Sequence, residues 1–305
     1  MAIPFVVGAY AALPADREQQ EEFYASLADA QWVNGLEIPL RQTITDDLPW
    51  FAHQIAPSFT MNILTPIPGT MGNLAKNPAF GIASPDEAGR AAALEFLIDG
   101  INQVKAVNDA VGRQVFSWIA LHTAPTATAE REALVRSLAT IEQWDADGAK
   151  FVIEHQDAFI PDQAPQKGFL SLGDEIGAIS DAGTERTFIS LNWGRSAIEG
   201  RSPQTPLDHI KAAAPSGKLA GVIFSGTHNV DGDYGPAWTD SHVALQHDEP
   251  SSIMTSTLVA TAAEAARSAK VSYLGAKLTL DGRYTVPERI AILRRVAGAA
   301  GKSQA

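Results

Sequence analysis

Two kinds of apolar segment alternate along this chain. Eight short runs are apolar on successive residues: Phe5–Ala9, Val33–Ile38, Ser58–Leu64, Val115–Leu121, Lys150–Ile153, Thr187–Leu191, Leu219–Phe224 and Val271–Ala276. Strands covered on both faces read this way, whereas a strand with one wet face alternates apolar and polar residues. Between the runs the period becomes helical. Helices are predicted near Asp16–Ala30, Asp46–Gln54, Ser84–Val104, Ala129–Asp145, Gly173–Asp181, Pro206–Ala214, Ile253–Ala269 and from Thr285 onward. Leu94, Leu97, Ile98, Ile101 and Val104 set the period of the third. Ser84-Pro85-Asp86-Glu87 and Thr285-Val286-Pro287-Glu288 read as capping boxes, with Pro tolerated in the first helical turn.

Eight strand–helix alternations without a change of composition predict an α/β chain with a single (β/α)8 barrel over residues 1–305, its tail frayed from about 301. The rival is a doubly wound sheet, but no Gly-rich phosphate fingerprint follows the first strand. Thr65–Ala83 and Ser225–Ser252 read as long loops, and loops of that length usually form functional walls or lids.

Composition narrows the function classes. A hydrophobic share of 45% against 19% charged residues suits a soluble protein with a large core. The start, MAIPFVVGAY, lacks a basic leader region, and no apolar run reaches the length of a membrane span, so a cytoplasmic protein is expected. A net charge of −12 disfavours nucleic acid and anionic membranes as partners. The chain has no cysteine, which removes disulfides, thiolate metal sites and thiol nucleophiles. G-x-S-x-G, H-E-x-x-H and P-loop patterns are also absent.

In a barrel the active site lies at the carboxyl ends of the strands. Those ends carry Glu37, His122, Glu154, Asn192 with Trp193 and Arg195, and Lys277, while the third run contains Asn62. The seventh run opens into GVIFSGTHNVDGDYGPAWTDSH, which holds His228, Trp238, Asp240 and His242. Glu154 directly follows Phe151-Val152-Ile153, so its carboxylate needs a ligand, a cation or a structural ion-pair partner in the mouth. Glu37 stands in the same context. His122 suits hydrogen bonding to a hydroxyl or proton transfer, and equally a bond to a backbone carbonyl. Alternation turns His155 away from Glu154, towards the helices. Trp193 and Trp238 suit platforms for a sugar ring or plain packing. Arg195 suits an anionic substituent or the surface.

The strand layout, with carboxylates closing strands two and five, resembles the xylose-isomerase-like barrel superfamily of sugar isomerases, ketose 3-epimerases and an endonuclease branch. VGAYAALP, NGLEIP, KGFLSLGDEIGAI, SLNWGRSAIEGR and SGTH followed by YGPAWTDSH are similar to a family known only as a domain of unknown function. The ketose-epimerase resemblance implies a divalent metal held by carboxylates and a histidine on strands five to eight. Glu154 matches the strand-five ligand, and His228 lies just beyond the strand-seven position. Asn192 and Lys277 stand where acidic ligands are expected, and an ammonium there would repel a divalent cation.

The expected function is therefore a sugar isomerase or epimerase of carbohydrate metabolism, transferring a proton next to a carbonyl without a metal. Glu154 would be the base, with Glu37 or His122 handling the second proton and Lys277 the developing oxyanion. The substrate-binding set is Asn62, Asn192, Trp193, Arg195, His228, Trp238, Asp240 and His242. The runner-up cofactor is a divalent metal such as manganese at Glu154 and His228. A lyase or hydrolase acting on a ketosugar or glycoside, and a non-catalytic sugar-binding protein, stay open on the same scaffold. The expected partner is a small-molecule sugar, neutral or anionic, and a homo-oligomer is compatible with every feature read.

Overall fold

The computed structural model describes residues 3–40 and 47–302. Asp46 of the predicted second helix and 303–305 of the predicted tail lie outside them. Eight strands close into a parallel barrel in sequence order: β1 (Phe5–Val7), β2 (Gly35–Pro39), β3 (Asn62–Thr65), β4 (Phe116–Leu121), β5 (Lys150–His155), β6 (Thr187–Asn192), β7 (Leu219–Phe224) and β8 (Tyr273–Ala276). The described helices are α1 (Arg17–Asp29), α2 (Leu48–Gln54), α3 (Ile67–Leu74), α4 (Glu87–Val111), α5 (Arg131–Ile141), α6 (Leu172–Asp181), α7 (Trp193–Gly200), α8 (Thr205–Ala213), α9 (Ser256–Ser268) and α10 (Val286–Ala299). None is long and apolar enough to cross a membrane.

The sequence marks most of these boundaries. Asp16, Asp47, Ser171 and Thr255 each cap a helix by accepting a backbone N–H of its first turn. Before α4 the cap is Asp86, which accepts Gly89 N, while Ser84 accepts Asp86 N one step upstream. At α10 the Glu288 carboxylate accepts Thr285 N at 2.7 Å, as the capping-box pattern predicts. Lys302 still donates to Ala297 O and Asn34 Oδ1, so ordered structure runs past the predicted start of fraying.

Two short helices stand where no helix was predicted. Pro68 and Gly69 fall in the first turn of α3, where proline costs no intrahelical bond, and Ile67, Thr70 and Leu74 are buried. At α7 the last residue of β6, Asn192, accepts Arg195 N and so starts a helix directly from the strand.

Strand alternation divides the core. Val6, Ile63, Trp118, Ala120, Val152, Ala220, Ile223 and Tyr273 pack together as one cluster, while the intervening residues join the larger core beneath the helices. Continuing the inward register by two residues reaches Gly8, Thr65, His122, Glu154 and Ser225; on β8, Gly275 and then Lys277 follow Tyr273. The apolar plug of the barrel is thus roofed by a polar layer at the carboxyl end. Strands buried on both faces hide this alternation from a hydropathy reading.

Candidate functional site

The polar roof is a connected network of buried charges. Lys277 Nζ lies 2.7 Å from Glu37 Oε1 and 3.9 Å from Glu154 Oε1. Arg195 Nη1 touches the same Glu154 oxygen at 2.7 Å, off the hydrogen-bonding direction, so both atoms lack a true hydrogen bond. The other oxygen, Oε2, accepts from His122 Nε2 at 3.0 Å. Arg195 Nε donates to Asp240 Oδ2 at 3.2 Å, and Lys167 Nζ donates to the same oxygen at 3.0 Å. His242 Nδ1 meets Ser225 Oγ at 2.6 Å and lies 3.3 Å from Asp240 Oδ1. Lys277 is fully buried, and Glu37, His122, Glu154 and Arg195 are no more than 4% exposed.

Each group is held by its local fold. Gly8 leaves room for the lysine stem: a Cβ there would stand 2.9 Å from Lys277 Cβ and Cγ. Tyr10, just beyond Gly8, sits 3.5 Å from Glu37 Oε1, and its ring lies beneath the Lys277 ammonium. The Asp157 carboxylate gathers the N–H groups of Gln166, Lys167 and Gly168, which presents Lys167 and Gln166 to Asp240. The segment from Trp238 to His242 closes over the mouth, and both of those residues have positive φ, +66° and +54°. Non-glycine residues in that region carry backbone strain, which tends to collect at functional sites.

Burial and charge set the protonation states. Burial pushes the Glu37 carboxyl up, and Lys277 opposes this without cancelling it. Burial also acts on Glu154, but Arg195, Lys277 and His122 outweigh it and hold that carboxyl well below the usual range. Burial lowers His122 despite its bond to Glu154, and brings His242 down to about 3, so both rings are neutral near pH 7. Burial opposes the charge on Lys277 too, but Glu154 and Glu37 reverse this and keep it an ammonium. Two carboxylates sharing one ammonium thus have proton affinities pushed in opposite directions, the usual arrangement for separate acid and base roles.

Several buried polar atoms in this layer have no hydrogen-bond partner among the described residues: Glu154 Oε1, Arg195 Nη1, His122 Nδ1, Asn192 Nδ2 and Thr65 Oγ1. Buried polar atoms are nearly always satisfied, so a group of them facing one mouth suits a polar ligand. Below it lies a cavity of about 10 Å³, lined by Glu37, Glu154, Thr65 and Ser190 above Ile63, Val152, Ile223 and Tyr273. That volume is at the scale of one water, so a larger ligand enters only when the covering loop lifts.

The structure gathers Glu37, His122, Glu154, Asn192, Arg195, Asp240, His242 and Lys277 at one mouth. It does not bring Asn62 there. Asn62 opens β3 at the amino end, where Oδ1 accepts Leu36 N and Nδ2 donates to Phe59 O and Val115 O. Its hydrogen-bonding capacity serves the barrel floor. Trp193 faces outward from the strand register and is buried in the core beneath the helices, so it offers no face to a ligand. His228 donates Nδ1–H to Val230 O and packs on Tyr234, while Trp238 lies under the Arg201 guanidinium. Both make their contacts within or beside the long loop. Lys277 is closer to Glu37 than to Glu154, and Arg195 is already engaged by Glu154 and Asp240. Tyr10 and Lys167 were missed; their only sequence signal was a place in VGAYAALP and KGFLSLG.

These donors do not suit a divalent cation at Glu154: two side-chain cations already crowd its Oε1, and Asn192 offers an amide in place of a carboxylate.

Comparison with known proteins gives the chain a lineage. The family model described as "Domain of unknown function (DUF4862)" matches residues 6–292. The "Uncharacterized protein STM3670" of Salmonella typhimurium (strain LT2) is 33% identical over 300 residues, covering 95% of this chain and 94% of that protein. Among solved structures, an L-ribulose 3-epimerase is similar with a TM-score of 0.58 at 16% identity, covering 98% of this chain and 91% of the other. A D-psicose 3-epimerase solved in the presence of D-fructose gives 0.59 at 13%, covering 98% and 96%. The IOLI protein, solved with a zinc atom, gives 0.62 at 12%, covering 99% and 100%. At these identities the likeness establishes the fold: a xylose-isomerase-like (β/α)8 barrel.

Proposed function

The chain belongs to the DUF4862 family, and from that premise we propose that it is a sugar isomerase or epimerase that moves a proton next to a carbonyl without a metal. The observation that carries the reading is the pair of buried carboxylates, Glu37 on β2 and Glu154 on β5, joined by one Lys277 ammonium at the barrel mouth. Sugar epimerases on similar barrels lend the substrate class.

The geometry favours a division of labour. Glu37 has the raised proton affinity and sits in hydrogen-bonding contact with Lys277, so it suits a group that takes up and returns a proton. Glu154 is a poor base while Arg195, Lys277 and His122 hold it ionised. When a substrate oxygen draws Lys277 and Arg195 towards itself, Glu154 loses part of that hold and its basicity rises. It then serves the second proton position across the mouth from Glu37. Lys277 and Arg195 face the oxygen that becomes negative in an enediolate; one such donor contributes about 3–4 kcal/mol to transition-state stabilisation. Closure of the Trp238–His242 segment excludes water, which strengthens those interactions.

Proton NMR of ketoses and aldoses incubated with the protein in D2O tests this. Deuterium entering at the carbon beside the carbonyl supports the proposal. Release of an aglycone or an unsaturated product would instead identify a hydrolase or lyase. Saturable binding without exchange would leave a sugar-binding protein.

A further inference from the structure

A second charged cluster lies outside the barrel, behind the mouth. His155, the last residue of β5, points outward between α6 and α7. Its Nδ1 is 2.7 Å from Glu175 Oε2 on α6, and its Nε2 is 3.0 Å from Glu199 Oε2 on α7. Glu199 Oε1 is 3.4 Å from His209 Nε2 on α8. One ligand atom from each of His155, Glu199 and His209 falls within 4.8 Å of the others. We propose that His155, Glu199 and His209 form a binding site for a zinc-like divalent metal ion, distinct from the sugar site.

The geometry suits that ion. Tetrahedral zinc with bonds of about 2.0–2.1 Å sets its ligand atoms about 3.3 Å apart. Glu199 stands between the two imidazoles, Oε2 at 3.0 Å from His155 Nε2 and Oε1 at 3.4 Å from His209 Nε2, and with one ligand atom from each residue within 4.8 Å of the others a small inward shift reaches that spacing. Two imidazoles and a carboxylate form a ligand set that zinc commonly takes, leaving a fourth position for water. The supporting contacts are those of a metal-binding histidine. Glu175 takes the far nitrogen of His155 and is itself fixed by Thr123 Oγ1 at 2.6 Å. Ser196 Oγ lies 3.1 Å from His209 Nδ1, which turns Nε2 towards Glu199. Carboxylate or hydroxyl partners on the far nitrogen orient the ring and raise its basicity.

Without metal, a proton takes the bridging role. The Nδ1–H and Nε2–H of His155 point at Glu175 and Glu199, 2.7 and 3.0 Å away. The incoming cation replaces the Nε2 proton, which leaves to solvent, and the two carboxylates that stabilised the imidazolium neutralise the metal instead. The His209 and Glu199 side chains are each 14% exposed, which gives an ion a way in from the surface. Glu199 lies one helical turn after Arg195, so a metal here would tie the helix carrying Arg195 to the strand carrying Glu154.

Cobalt(II) titration followed by visible absorption tests the site. One equivalent should bind with the intense bands of four-coordinate cobalt, and zinc should displace it. His209→Ala, at a partly exposed position, should abolish the bands while the protein stays folded by circular dichroism. Glu175→Gln should weaken binding about 10- to 100-fold. Glu154→Gln, in the mouth, should leave it intact. Absence of binding would show a purely structural imidazolium. Bands that survive His209→Ala, or that vanish with Glu154→Gln, would place the metal elsewhere; each result overturns the assignment.

Discussion

Replacing Lys277 with methionine removes one charge from a sealed site and keeps the length of the stem. At an effective dielectric of about 20, a charge pair at 2.7 Å is worth roughly 6 kcal/mol and one at 3.9 Å roughly 4 kcal/mol before desolvation is subtracted. The two anions lose unequal support. Glu154 keeps Arg195 and His122 in contact, whereas among the described residues Glu37 keeps the Tyr10 hydroxyl at 3.5 Å and the more distant charge of Arg195. Breaking a buried pair from one side costs about 3–5 kcal/mol. Unfolding entropy of about 2.1 cal/mol/K per residue over 305 residues converts this to a fall in Tm of about 5–8 °C. The cost depends on pH. Burial already raises Glu37, and losing Lys277 raises it further. Below the ordinary carboxylate range Glu37 is protonated in both folded and unfolded states and carries no penalty. As pH climbs towards the raised folded value, the unfolded state ionises first and the penalty grows. Thermal melts of wild type and Lys277→Met should therefore differ more at pH 8 than at pH 5, and adding Glu37→Gln to Lys277→Met should recover much of the loss. A deficit that is the same at both pH values and unmoved by Glu37→Gln would refute the coupling of Glu37 to Lys277.

The remaining predictions follow from single contacts. Gly8→Ala should push the Lys277 stem aside, lowering exchange activity by about 10²–10³-fold, the scale of one lost oxyanion donor, with a Tm loss smaller than that of Lys277→Met. Asn62→Ala should strip partners from Leu36 N, Phe59 O and Val115 O and cost about 2–4 kcal/mol in urea melts, while the KM of protein still folded stays at the wild-type value. Shortening the loop at Asp231–Gly235 should weaken substrate affinity and turnover together, read by steady-state kinetics, because that segment is tied to the one covering Arg195 and Glu154: Ala237 N donates to Asp231 Oδ1.

Barrel and mouth were legible to different depths. Phe151-Val152-Ile153 and Val222-Ile223-Phe224 read as strands because both faces are covered, and the polar residue ending each run marked the mouth. Glu37, His122, Glu154 and Lys277 could thus be named before the register was known. Asn62 was misplaced because Ser58–Leu64 reads as one apolar run, whereas the strand begins at Asn62 itself. A residue at the opening of a strand belongs to the floor. Trp193 failed through parity: one step beyond the inward Asn192, it must face outward. The partners supplied by loops were beyond reach. Lys167 meets Asp240 across 73 residues through the Asp157 turn, and no local pattern encodes that meeting. The helices α3 and α7 were hidden by glycine, proline and an asparagine cap, which read as loop until tertiary packing buries their apolar faces.

The central claim is proton transfer by Glu37 and Glu154 with Lys277 in place of a metal. The most direct test uses a His209→Ala background, so that any metal outside the barrel is removed from the comparison. The protein is dialysed exhaustively against a chelator, its metal content is measured, and deuterium incorporation into the substrate is followed in D2O. The account predicts far less than one metal per chain, exchange at the untreated rate, and collapse of that rate with Glu37→Gln or Lys277→Met. Exchange that disappears with the metal and returns with manganese or cobalt would contradict it.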